Sequence, residues 1–107
     1  MKPVQILVVD DEENVVELMR HILKEANFDV ICAYGGTEGI RYTIDNHPDL
    51  VISDVMMPDV DGIEFLTKLK EKNIRTRFIF MTAVYTSLRD TVRFIKLGAC
   101  DVIHKPR

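Results

Sequence analysis

Apolar residues fall along this chain in short bursts of two kinds. Val4 to Val9, Phe28 to Tyr34, Leu50 to Ile52, Arg77 to Thr82 and Ala99 to His104 are nearly continuous apolar runs. Such runs, bounded by turn residues, predict strands buried on both faces, as in a parallel sheet. Between them the period lengthens to that of a helix. Val15, Met19, Ile22 and Ala26 recur every three or four residues, with Val16 and Leu23 beside them. Thr37 to Asn46 predicts a short helix with Ile40 and Ile44 inward. Ile63 to Lys72 predicts another, with Phe65, Leu66 and Leu69 apolar. Ser87 with Asp90, and Asp61 with Glu64, form capping patterns. The first opens a helix with Leu88, Val92 and Ile95 inward, closed by Gly98. Asn27 and Asn73 stand at helix ends. Strand and helix alternate at spacings too long for hairpins. That predicts an α/β sandwich on a parallel sheet with right-handed crossovers.

Composition narrows the picture little but usefully. The chain has 107 residues, 47% hydrophobic and 29% charged, which fits one domain, residues 1–107, with one core. The net charge of -3 leaves no electrostatic footprint for nucleic acid or an anionic membrane. No apolar run approaches the ~20 residues needed to span a bilayer, and the start does not read as a signal peptide. Cytoplasmic residence is the expectation. Cys32 and Cys100 lie far apart in apolar runs and read as small buried hydrophobes.

The chemistry lies at the carboxyl ends of the predicted strands. The first ends at Asp10 and Asp11, the third at Asp54, the fourth at Thr82 and the fifth at Lys105. A parallel sheet brings these ends to one edge, where ligands bind. Three carboxylates there repel one another unless a cation or protonation relieves them. A hard divalent ion such as Mg²⁺ suits oxygen ligands of this kind. Lys105 adds a positive charge suited to a phosphoryl group, and Thr82 adds a hydroxyl. The remaining carboxylate is then free to act as a nucleophile, forming an aspartyl phosphate.

These residues sit in ordered pieces: Val8-Val9-Asp10-Asp11-Glu12, then Asp54-Val55-Met56-Met57-Pro58-Asp59-Val60-Asp61-Gly62, then Met81-Thr82-Ala83, then Gly98 to Pro106. In that order and spacing the sequence resembles the receiver domains of two-component response regulators over essentially its whole length. The resemblance implies a flavodoxin-like three-layer sandwich with strand order 2-1-3-4-5. It implies that Asp54 is the phosphoacceptor. Asp10 and Asp11 would hold Mg²⁺, with Asp54 and the backbone carbonyl of Met56 completing the site. Thr82 would follow the phosphoryl group, Lys105 would pair with its oxygens, and the Lys105–Pro106 bond would be cis. The domain would not be an enzyme in the ordinary sense but would catalyse its own phosphorylation and dephosphorylation. Its partners would be a sensor histidine kinase or phosphotransfer protein and a downstream protein or output domain. The implied order puts the two cysteines near opposite sheet edges, so no disulfide is expected.

Two departures from the family pattern stand out. The usual aromatic residue three before the lysine is replaced by Val102, whose side chain cannot make the same excursion, and Tyr85 is a candidate substitute. The family's fifth helix, after the Lys-Pro pair, is missing from a chain that stops at Arg107. The expectation is an apolar face left bare beside the first helix, through a shortened chain, a longer natural chain, or self-association that covers it. Met56 and Val84 are apolar where an attacking water would pass, so slow autodephosphorylation is expected. Asp59 and Asp61 read as loop and cap residues, Glu12 and Glu13 as first-turn carboxylates with Glu12 also a candidate to touch the metal through water, and His21, His47 and His104 as solvated or satisfied. A haloacid-dehalogenase phosphatase would need an acid at Met56. A flavodoxin would need a phosphate-cradling loop where Asp10 to Glu13 stand.

Overall fold

A computed structural model of the chain describes residues 2–84 and 86–106. Its elements alternate as β1 (Gln5–Val9), α1 (Glu13–Glu25), β2 (Asp29–Ala33), α2 (Gly36–Asn46), β3 (Leu50–Asp54), α3 (Gly62–Glu71), β4 (Arg77–Thr82), α4 (Leu88–Lys96) and β5 (Asp101–His104). The strands form one parallel sheet in the order β2-β1-β3-β4-β5. This is the expected topology, and each strand lies within the run that predicted it except β3, which runs two residues past Ile52 to Asp54.

Because side chains alternate across a strand, each run splits between two cores. Leu7, Val9, Ala33, Val51, Phe78 and Phe80 face α2, α3 and α4. Ile6, Val8, Ile52 and Met81 face α1, through Val16 and Met19. The first core is organised by aromatic rings. Phe65, Phe78, Phe80 and Phe94 follow one another with centroids 5.1, 5.1 and 4.8 Å apart, the first two pairs edge to face.

The helix ends follow the sequence signals. The Asp61 carboxylate accepts from Glu64 N–H at 2.8 Å and the Ser87 hydroxyl from Asp90 N–H at 3.1 Å. Asn27, Asn73 and Gly98 take positive φ angles at their helix ends, as does His47.

The helix faces differ from expectation in three places. On α4, Leu88, Val92 and Ile95 are 79%, 43% and 50% exposed, and Phe94 alone is buried. One phenyl ring beside Phe80 fills the groove over β4, which turns the aliphatic stripe outward. On α2, Ile44 is exposed and Ile40 half-buried, while Gly36, Gly39 and Thr43 face the sheet. The reason is close packing: a Cβ on Gly39 would lie 2.8 Å from Phe65 Cε2 and 3.1 Å from Val9 Cγ2. On α1, Ile22 and Ala26 are exposed, and Val16 and Met19 make the contact.

Both cysteines are free, as expected, but neither is buried: Cys32 is half-buried and Cys100 exposed. One lies on edge strand β2 and the other just before edge strand β5, where one flank has no neighbouring strand. No cis peptide bond occurs among the described residues, so Lys105–Pro106 is trans rather than cis. Trans is the default for such a bond by about 0.5–1 kcal/mol. Tyr85 lies outside the described residues. No helix among the described residues is long and apolar enough to cross a membrane.

Candidate functional site

The parallel register puts the carboxyl ends of β1, β3, β4 and β5 on one edge of the sheet. The ladder continues just past the strands and fixes where the next residues stand. Asp10 N–H donates to the Ala33 carbonyl at 3.2 Å, Val55 N–H to Met81 at 3.1 Å, and Lys105 N–H to Thr82 at 2.8 Å. Side-chain direction at Asp10, Asp54 and Lys105 therefore follows from strand pairing and not from loop conformation.

Asp10, Asp11 and Asp54 each offer a carboxylate oxygen, and these atoms lie within 4.8 Å of one another. Asp10 and Asp54 are buried; Asp11 is exposed. Lys105 reaches across from β5. Its Nζ lies 3.0 Å from Asp10 Oδ2, 3.0 Å from Asp54 Oδ2 and 3.1 Å from Glu12 Oε1. Asp10 Oδ1 accepts from Glu12 N–H at 2.9 Å, which ties the start of α1 to the site. Asp54 Oδ1 accepts from Met56 N–H at 3.3 Å.

The charges are unevenly balanced. Burial pushes the Asp10 carboxyl up to about 6, against the hydrogen bond from Glu12 N–H and the Lys105 ammonium, while Asp54 adds like-charge repulsion. For Lys105, burial favours the neutral amine, but hydrogen bonds to Asp54 and Glu12 and the negative charge of Asp10 outweigh it and hold the ammonium well above its ordinary value. Lys105 is thus a fixed positive charge among carboxylates.

This donor set fits a hard divalent cation. The Lys105 ammonium is close to Asp10 Oδ2 but misaligned, so that buried oxygen accepts no hydrogen bond. An unsatisfied buried carboxylate oxygen beside two further carboxylates is the arrangement that Mg²⁺ relieves.

Thr82 is buried at the end of β4, one residue beyond Met81, the strand partner of Asp54. Its hydroxyl accepts from Val84 N–H at 3.2 Å and so faces its own loop. Met57 packs into the core while the Met56 side chain is 76% exposed. The three histidines are exposed, as expected. Two residues take on roles that sequence reasoning did not assign. Glu12 pairs with Lys105 across 93 positions. Asp59 accepts from Gly36 N–H at 3.1 Å and Thr37 N–H at 3.0 Å. No local pattern signals either contact, since both depend on strand order.

Comparison with known proteins identifies the family and the fold. Residues 6–107 match the family described as response regulator receiver domain. The chain is 38% identical over 102 residues to the alkaline phosphatase synthesis transcriptional regulatory protein PhoP of Bacillus subtilis (strain 168), covering 95% of this chain and 42% of that protein. It is 36% identical over 102 residues to the regulatory protein AtoC of Escherichia coli (strain K12), covering 95% of this chain and 22% of that protein. It therefore spans less than half the length of these relatives. Among solved structures, the receiver domain of the Francisella response regulator 1452 superposes with a TM-score of 0.90 at 30% identity, covering 98% of this chain and 85% of that one. The chemotaxis protein CheY4 of Vibrio cholerae superposes with a TM-score of 0.89 at 27% identity, covering 99% of this chain and 89% of that one.

Proposed function

The chain belongs to the response regulator receiver domain family, and from that membership we propose that it is a phosphorylation-activated switch with Asp54 as phosphoacceptor. The observation that carries the reading is the position of the Asp54 carboxylate. It is buried at a strand end, 3.0 Å from the Lys105 ammonium, with an oxygen within 4.8 Å of carboxylate oxygens of Asp10 and Asp11.

In this reading a carboxylate oxygen of Asp54 attacks the phosphorus of a partner's phosphohistidine. The phosphorus–nitrogen bond breaks, the imidazole leaves, and an aspartyl phosphate remains. Asp10, Asp11, Asp54 and the Met56 backbone carbonyl hold Mg²⁺, which when bound offsets the charge on the phosphoryl oxygens. Lys105 is already seated on Asp54 and exchanges that contact for a phosphoryl oxygen. Thr82 donates its hydroxyl to the phosphoryl group, which requires it to leave Val84 and draws the loop after β4 inward. The half-buried Val102 adds no aromatic rotation to this change. The modification biases a two-state equilibrium around that loop and α4, and so alters binding to a partner or output domain.

The phosphoryl donor is a sensor histidine kinase or a phosphotransfer protein, and the setting is the cytoplasm. Leu50, Ile79 and Ile103 lie half-buried on the α1 face, and Leu18 and Ile22 of α1 are exposed beside it. That strip suits a second copy of the chain, which size measurement in solution tests. Met56 and Val84 are 76% and 69% exposed and bring no acid, base or amide to orient a water. The phosphoryl group is therefore expected to outlast seconds in a dephosphorylation time course.

The testing experiment is intact mass after incubation with acetyl phosphate and Mg²⁺. One added phosphoryl group, lost in Asp54→Asn and lost with a chelator, supports the reading. No addition under any condition refutes it.

A further inference from the structure

The α2 helix has no cap of its own. Its N-cap residue is Gly35, and no side chain from the preceding turn accepts from its first amides. The missing acceptor comes from a distance of more than twenty residues. Asp59, in the loop between β3 and α3, binds Gly36 N–H through Oδ1 at 3.1 Å and Thr37 N–H through Oδ2 at 3.0 Å. One carboxylate thereby satisfies two orphan donors at the positive end of a helix.

The surrounding surface is shaped for this contact. A Cβ on Gly36 would run into the Val60 carbonyl, and one on Gly35 would lie 2.9 Å from Asp59 Oδ2. The Gly35-Gly36 pair, which the sequence offers only as a strand breaker, lets the loop lie flat against the helix start. Burial alone would raise the Asp59 carboxyl, but backbone hydrogen bonds from Thr37, Val60 and Gly36 lower it to about 2, so it stays ionised.

The clamped loop is the one that follows Asp54. Its ends are joined by Gly62 N–H donating to the Val55 carbonyl at 2.9 Å. Between them stand Met56, whose carbonyl is assigned to the metal under Proposed function, then buried Met57, Pro58 and Asp59. Met57 anchors the inner side of this arc and Asp59 the outer side.

We propose that Asp59 is a positioning residue for the acidic site: it pins the Met56 loop to the N-terminus of α2, and so links metal affinity to order in the first turn of that helix. The inference rests on the metal assignment above. Linkage of this kind is reciprocal. Bound Mg²⁺ strengthens the clamp, and the clamp strengthens Mg²⁺ binding.

The test uses MgCl2 titrated calorimetrically into wild type, Asp59→Ala and Asp59→Asn, with amide exchange at Gly36 and Thr37 followed by NMR. Asp59→Ala is expected to weaken the Mg²⁺ dissociation constant about fivefold or more. Asp59→Asn, which keeps one acceptor, falls between. Mg²⁺ slows exchange at both amides in wild type and not in Asp59→Ala. With acetyl phosphate, the Mg²⁺ concentration for half-maximal labelling rises in Asp59→Ala, while the rate at saturating Mg²⁺ stays at the wild-type level. A general loss of stability would lower the saturating rate as well. If wild type binds Mg²⁺ and Asp59→Ala binds it within about twofold, the clamp is refuted and the metal assignment stands. If wild type binds no Mg²⁺, both fall.

Discussion

Lys105 Nζ and Asp54 Oδ2 lie 3.0 Å apart although 51 positions separate them. The ammonium side chain is only 9% exposed and sits against Asp10 as well. Lys105 is therefore a counter-charge that makes two buried carboxylates tolerable. Replacing it with methionine leaves them unpaired. Removing one partner of a buried pair costs about 3 kcal/mol or more. Lys105→Met is expected to lower urea stability by that order in a chelator, and Mg²⁺ is expected to restore part of the loss. Equal losses with and without Mg²⁺ would contradict this role.

Asp10 gives the site a pH signature. Its folded carboxyl is raised from 3.8 to about 6 by burial. Between those values the folded state holds a proton that the unfolded chain has released. Its contribution is thus full at low pH and is lost as pH rises through about 6. In a chelator, stability is expected to fall across that window, and Asp10→Asn to flatten the profile. At neutral pH that variant gains on the order of 2 kcal/mol. Urea denaturation at several pH values measures it. A profile for Asp10→Asn parallel to wild type would be the contrary result.

Gly39 sets helix propensity against packing. Alanine is favoured over glycine inside a helix by about 1 kcal/mol. Here a Cβ would press on the Phe65 ring and on Val9. Overpacking costs about 1–3 kcal/mol, and the ring belongs to the aromatic row that fills the core. Gly39→Ala is expected to destabilise by about 1 kcal/mol, read as a lower urea midpoint with an unchanged slope. A rise in the midpoint would show that the ring gives way freely.

The reversed face of α4 predicts unequal substitutions on one helix. Leu88 is 79% exposed and Phe94 8% exposed. Leu88→Gln is expected to change stability by less than about 0.5 kcal/mol. Phe94→Ala is expected to cost about 3 kcal/mol, because it empties the space beside Phe80. Similar effects at the two positions would contradict the observed orientation.

The sheet order followed from the family resemblance, whereas the alternation of strands and helices and the meeting of Asp10, Asp11, Asp54 and Lys105 at one edge were legible in the residues themselves. The reason is that each rests on local signals. A continuous apolar run, a capping pair such as Asp61 with Glu64, or an Asn at a helix end needs only its near neighbours. Once the strands are parallel, the residues that follow them must share an edge. Periodicity could not choose the buried stripe of α4, because Leu88, Val92 and Ile95 are spaced as regularly as a core face. The choice fell to Phe94 because the ring of Phe80 was already there to receive it. The exposure of Cys100 came from its place just before an edge strand, which no apolar run reveals. The pairing of Glu12 with Lys105, and of Asp59 with the first turn of α2, arose only when the sheet brought distant loops together. Hydrogen-bond partners many residues apart are selected by tertiary geometry, and a linear pattern holds no record of that distance.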